Sequence, residues 1–159
     1  MKHIDIYTDG ACKGNPGPGG YGAILVCNER EKELSGGSPH TTNNRMELNA
    51  AIAGLEILKE SCDVTLYTDS KYLADAVNMG WANNWKKNNW IKGDKQPALN
   101  PDLWEKMLGL LYNRGHTVKV VWVKGHAGNK YNERCDRIAV KKAEKYSEEG
   151  KNTNEKNTQ

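Results

Sequence analysis

Ile4 and Ile6 alternate with polar neighbours, the period-two signature of a half-buried strand. Thr8-Asp9-Gly10 closes that strand before a turn-rich run, Lys13-Gly14-Asn15-Pro16-Gly17-Pro18-Gly19-Gly20. Tyr21 to Cys27 reads as a second strand, the charged run from Asn28 to Lys32 as a hairpin tip, and a short third strand follows. From Thr42 the spacing changes. Met46, Ala50, Ala53, Ile57 and Leu58 recur every three or four residues behind a Thr/Asn cluster of N-cap candidates, which predicts an amphipathic helix. Val64 to Thr68 is a compact strand, and Asp69 or Ser70 caps a helix containing Tyr72, Leu73, Ala76 and Val77. Asn100-Pro101-Asp102 supplies a cap, an N1 proline and an early acid ahead of Leu103, Trp104, Met107, Leu108 and Leu111, with Gly115 as the stop. Thr117 to Val123 is a β-branched strand, Gly125-His126-Ala127-Gly128 a loop, and Asn132 through Ala143 a final helix.

The order is three strands, a helix, a strand, two or three helices, a strand and a helix, which suits an α/β fold with a mixed sheet covered by helices on both faces. A length of 159 residues fits one domain, read as residues 1–146, followed by a polar tail over 147–159 that is expected to be disordered because it lacks large apolar residues. Apolar residues at 37% and charged residues at 27% agree with a globular chain and exclude wholesale disorder. The N-terminus lacks a signal-like apolar core and no stretch is apolar enough to span a bilayer, so a cytoplasmic location and no membrane partner are expected. Cys12, Cys27, Cys62 and Cys135 form no CxxC pair and read as reduced thiols. The net charge is only +3, but the stretch from Trp81 to Asn100 alone carries +3, so the basic excess is local.

Two acids, Asp9 and Asp69, end apolar strands; adjacent parallel strands bring such acids together at the carboxyl edge of a sheet. Glu47, read in the first turn of the helix after Thr42, faces the same crevice. Asp136, four residues after Asn132 and on the same helix face, is positioned to deliver a fourth carboxylate. Each acid alone has an ordinary explanation as a turn residue, cap, dipole partner or solvated helix acid. Four together repel one another unless hard cations sit between them, and Mg2+ is the natural occupant. Paired magnesium ions suit phosphodiester hydrolysis, one activating water and the other stabilising the leaving oxygen.

Six blocks now stand in order: Thr8-Asp9-Gly10-Ala11-Cys12, Gly14-Asn15-Pro16-Gly17, Thr41 through Glu47, Thr68-Asp69-Ser70, Lys124-Gly125-His126, and Asn132 through Asp136. Together they resemble bacterial type 1 ribonuclease H over residues 1 to about 143. The resemblance implies the ribonuclease H-like fold, a five-stranded mixed sheet with helices on both faces. It also implies two-metal-ion hydrolysis of the RNA strand of RNA/DNA hybrids, leaving 5′-phosphate and 3′-hydroxyl ends. It places Asp9 on both Mg2+ ions of the substrate complex, Glu47 and Asp69 on one, and Asp136 on the other, with Mn2+ as the alternative metal. His126 corresponds to the family's mobile histidine, suited to proton transfer or product departure.

Recognition of RNA requires contact with the 2′-hydroxyl across a wide, shallow minor groove. Gly10, Cys12, Asn15, Asn43, Asn44 and Lys71 fall where the family touches the hybrid, and Asn132 is read as a further substrate contact. Lys71 departs from the family's usual glutamine; a lysine donates but does not accept, which leaves its role between a phosphate or 2′-hydroxyl contact and an ordinary surface lysine. Thr42 and Asn15 match a pocket for a DNA-strand phosphate. The segment Trp81 to Trp90 resembles the family's basic protrusion, with Trp81, Lys86 and Lys87 as DNA-strand contacts and Trp85 and Trp90 as packing residues. Two other readings compete: a hybrid- or duplex-RNA-binding module without catalysis, which the four intact acids disfavour, and a DNA-directed nuclease or strand-transfer enzyme, which Asn43-Asn44 and the protrusion disfavour. No dimer seam is evident, so a monomer is expected.

Overall fold

The structure, a computed structural model, describes residues 1–125 and 128–157. Five strands, β1 (Lys2–Cys12), β2 (Gly17–Cys27), β3 (Arg30–Thr41), β4 (Cys62–Thr68) and β5 (Thr117–Trp122), form one sheet in the order β3-β2-β1-β4-β5. Antiparallel pairing joins β1 to β2 and β2 to β3, whereas β4 runs parallel to both β1 and β5. The helices are α1 (Asn43–Glu56), α2 (Lys71–Asn78), α3 (Trp81–Lys87), α4 (Pro101–Tyr112) and α5 (Lys130–Asn157).

Alternation along β1 sends Ile4 and Ile6 into a large core with Leu48, Leu55, Leu66, Leu73 and Met107, beneath α1, α2 and α4. Tyr7 points the other way, onto Ile24 and Cys135 beneath α5. The mixed sheet with helices on both faces is thus as the spacing predicted. Trp104 is fully buried, donates its indole N–H to the Tyr72 hydroxyl at 2.9 Å and meets Trp85 edge-on, so Trp85 is a packing residue; Trp90 also packs against this core.

Several boundaries differ from the sequence reading. The run Gly17–Gly20, expected to be turn, opens β2, and its glycines admit close neighbours: Gly17 the Lys13 carbonyl, Gly19 the Thr41 side chain and Gly20 the backbone of α5. A Cβ added at Gly20 would stand 2.4 Å from the Ala139 carbonyl oxygen. The third strand is not short but spans 12 residues; it is a polar edge strand, and polar edge strands lack the apolar alternation that marks half-buried ones. Asp9 does not end β1, which continues beside β2 to Cys12, yet pairing with β4 stops at Tyr7. Asn100 stands at the N-cap of α4 as read, but its side chain makes no cap hydrogen bond: its backbone is left-handed and its Oδ1 accepts from Arg45 Nη1 at 3.2 Å. The last helix begins at Lys130, before Asn132 where the spacing placed it.

Candidate active site

The crevice opens where β1 and β4 part company. Asp9 lies two residues beyond Tyr7, the last β1 residue paired with β4, and Asp69 directly follows the end of β4. Glu47 comes from α1. It is the fifth helical residue, not a first-turn residue as expected, and this places it against the strand. That approach depends on Gly10, since a Cβ there would stand 2.7 Å from the Glu47 amide nitrogen. The Gly10 N–H donates to Asp9 Oδ1 at 2.9 Å and to Glu47 Oε1 at 3.2 Å, holding both acids from one backbone group.

Oxygens of Asp9, Glu47 and Asp69 all lie within 4.8 Å of one another. Asp136, from α5, lines the same crevice with Asp9 and Asp69, as do Thr8, Asn132 and Glu133. Asp9 and Glu47 are buried, at 6% and 3% exposure, whereas carboxylates ordinarily stay in solvent. Burial, and then the charge of Asp69, push the Asp9 carboxyl up to about 8. Burial, and then the charge of Asp9, hold the Glu47 carboxyl well above its ordinary value. Glu47 Oε2 is buried without a hydrogen-bond partner. A buried, unpartnered oxygen among like charges is an arrangement that a hard cation with oxygen ligands relieves, so the donor set fits divalent metal.

The expected substrate contacts fall around this crevice in two groups. Gly10, Asn43, Asn44 and Lys71 line it together with Asp9, Glu47, Asp69 and Asp136. Asn15 and Thr42 build the start of α1: Asn15 Oδ1 accepts from the Asn43 N–H at 3.1 Å, and Thr42 Oγ1 accepts from the Arg45 N–H at 3.2 Å. Both side chains keep a donor, the Asn15 amide and the Thr42 hydroxyl hydrogen, for an anion beside the helix N-terminus. The Cys12 thiol is turned onto the carbonyls of Gly17 and Thr41, both at 3.4 Å. Asn132 Oδ1 is buried without a partner.

The basic protrusion is α3 and the segment after it. Trp81 is 40% exposed at its start, and Lys87 is exposed at its end. Lys86 instead pairs with Glu105 of α4 at 3.0 Å. His126 lies outside the described residues; its neighbour Gly125 packs on Asp69, with a Cβ built there only 3.2 Å from Oδ2.

Sequence reasoning missed two residues of this region. Arg45 donates to both carboxylate oxygens of Asp102, at 3.0 and 2.7 Å, and so ties the start of α1 to α4. Trp122 stands half exposed beside Asp69, its N–H on the Asp69 carbonyl at 3.2 Å. An arginine next to a helix start and a lone aromatic at a strand end carry no local signal of a partner more than fifty residues away.

A sheet of this order, with acids converging where β1 and β4 part company, is an α/β scaffold whose donor set suits metal-assisted phosphodiester hydrolysis. The family model described as RNase H matches residues 1–144. The chain belongs to the RNase H family and is an endoribonuclease of the bacterial type 1 kind. It is 59% identical over 140 residues to a ribonuclease H of Desulforamulus reducens, covering 88% of this chain and 87% of that one. Identity to a ribonuclease H of Rippkaea orientalis is 61%, over 88% of this chain and 85% of the relative. Among solved structures, LC9-RNase H1, described as a type 1 RNase H with the type 2 active-site motif, superposes with a TM-score of 0.80 at 28% identity, covering 92% of this chain and 74% of that one. LC11-RNase H1, solved in complex with an RNA/DNA hybrid, shares the fold with a TM-score of 0.65 at 24% identity, over 89% of this chain and 97% of that one.

Proposed function

We propose that the chain hydrolyses the RNA strand of RNA/DNA hybrids by two-metal-ion catalysis with Mg2+, leaving 5′-phosphate and 3′-hydroxyl ends. The observation that carries this reading is the cluster itself, three acids with oxygens within 4.8 Å of one another and Asp136 on the same crevice. In this reading Asp9, Glu47, Asp69 and Asp136 would hold the metal, Asp9 serving both ions, Glu47 and Asp69 one and Asp136 the other. Bound magnesium supplies an activated water and charge stabilisation at the leaving oxygen. The protein supplies position: β1 and β4 fix Asp9 and Asp69 on rigid backbone, and the Gly10 N–H keeps Asp9 and Glu47 aimed into the crevice.

Gly10, Cys12, Asn43, Asn44, Lys71 and Asn132 face the RNA-bearing groove, Asn15 and Thr42 a DNA-strand phosphate, and Trp81, Lys86 and Lys87 the DNA strand further along. His126 moves a proton or aids product departure. Residues 1–146 form the working domain, acting as a cytoplasmic monomer; among the described residues no helix is long and apolar enough to cross a membrane.

The test is a labelled panel of RNA/DNA hybrid, duplex RNA, duplex DNA and single strands, with Mg2+, with Mn2+ and with chelator. Metal-dependent cleavage confined to the RNA of the hybrid is expected. Cleavage of duplex DNA alone, or hybrid cleavage that survives chelation, overturns the reading.

A further inference from the structure

Trp122 has no part in the contacts assigned above, yet its setting is unusual for so large an apolar side chain. It is the last residue of β5, paired in register with Thr68, the last residue of β4, and it is 48% exposed. The exposed ring is held in place, because its N–H donates to the carbonyl oxygen of Asp69 at 3.2 Å. The Lys71 ammonium lies 5.9 Å from its ring centroid, and Lys71 itself lines the crevice with Asn43, Asn44, Glu47 and Asp69. An oriented indole with a cation beside it, next to a cluster of acids, joins a flat apolar face to a positive charge. Nucleic-acid backbone offers the matching pair, a flat sugar or base face next to a phosphate.

We infer that Trp122 and Lys71 form one substrate shelf on the Asp69 side of the crevice, with the indole against a nucleotide of the cleaved strand and Lys71 on its phosphate. This rests on the hybrid-cleaving reading above. The Asp69 carbonyl is the anchor: it fixes the ring relative to the acid it adjoins, so that a strand seated on the shelf is indexed to the cleavage point. Lys71, a cation at a position where the family's usual residue is a neutral glutamine, gives the shelf its charge.

The test uses the full chain and a short RNA/DNA hybrid, comparing W122A, W122F, K71A and W122A/K71A. Steady-state cleavage is measured in Mg2+, hybrid Kd by fluorescence anisotropy in chelator, and thermal midpoint for each protein. W122A is expected to raise KM and Kd by about tenfold, the scale of one lost stacking contact, with a smaller change in kcat and a thermal midpoint near that of the wild type. W122F, which keeps a flat ring but loses the N–H, retains most of the affinity, within about threefold of wild type. K71A weakens binding and lowers the salt dependence of Kd, and its effect shrinks in the W122A background because the two residues share a contact. Unchanged KM and Kd in W122A, a W122F loss as large as that of W122A, or strictly additive effects of the two substitutions overturn the shelf. If W122A fails to fold, an unchanged Kd and salt slope in K71A, or a W122F Kd raised well beyond about threefold, overturns the shelf. A wild-type protein that does not cleave hybrid refutes the enzymatic reading, whereas normal wild-type cleavage with an indifferent W122A refutes the shelf alone.

Discussion

Replacing Asp9 by asparagine should make the metal-free protein more stable at neutral pH while abolishing cleavage. The folded protein holds the Asp9 carboxyl at about 8 against an ordinary value of 3.8, through burial and the nearby Asp69 charge. Keeping a proton on that group at pH 7 therefore costs about 4 kcal/mol, at 1.36 kcal/mol for each tenfold. Asparagine carries no charge to suppress and retains an Oδ1 for the Gly10 N–H, which donates to Asp9 Oδ1 at 2.9 Å in the wild type. Allowing for relaxation around the acids, D9N should gain about 2 to 4 kcal/mol in chelator, or roughly 6–12 °C in thermal midpoint for a chain of this size. The sign with pH follows from proton counting. Between about pH 4 and pH 8 the folded wild type binds more protons than the unfolded chain, so its stability falls as pH rises through that window. Below about pH 4 both states are protonated and the advantage of D9N disappears. Magnesium should raise the stability of the wild type far more than that of D9N, because the ion is bound by the folded state alone. Thermal unfolding across this pH range, with chelator and with Mg2+, checks each point. A D9N protein no more stable than wild type in chelator at pH 7, or a wild-type stability independent of pH there, refutes the reasoning.

Neutralising Lys87 should weaken hybrid binding and reduce the slope of log Kd against log salt by about one, whereas K86A should do less, because Lys86 pairs with Glu105 at 3.0 Å in the free protein; equal slopes for K87A and wild type in a salt titration count against the protrusion as a DNA-strand site. Gly10→Ala places a methyl 2.7 Å from the Glu47 amide nitrogen and should cost about 1–3 kcal/mol in urea unfolding together with most of the activity, since α1 must move away from β1; a fully active, fully stable G10A would show that the close approach is dispensable. Thr42→Ala removes the acceptor of the Arg45 N–H and should cost about 1 kcal/mol, read as a lower thermal midpoint, and no change would mean that water replaces the cap without loss.

Much of this was legible in the chain because the relevant signals are local. Alternation at Ile4 and Ile6, three- and four-residue spacing through α1, and acids at the ends of apolar runs each depend on neighbours a few residues apart. What escaped depends on tertiary partners. The Gly17–Gly20 run reads as turn in isolation and becomes strand by pairing with β1 and β3, Gly20 lying too close to α5 for a Cβ. Asn100 has the composition of a cap, but Arg45 from another helix claims its side-chain oxygen. The burial of Glu47 one turn into α1, rather than at its start, follows from the contact with Gly10 and not from the helical period. Trp122 has meaning only beside Asp69 and Lys71.

The attachment of α5 carries a consequence for the order in which the protein becomes active. Arg134 reaches Glu31 and Glu33, and Tyr131 reaches Glu31 at 3.0 Å, so the helix that brings Asp136 is clasped by a strand about a hundred residues earlier in the chain. Contacts of such long sequence separation carry the entropy cost of closing the loop between them. A chain still emerging from the ribosome, or one truncated before α5, carries Asp9, Glu47 and Asp69 without the fourth acid and without the helix that covers Tyr7 and Ile24. On the proposed reading, in which Asp136 is one of the metal-holding acids, a chain that stops before α5 is expected to leave hybrid uncut.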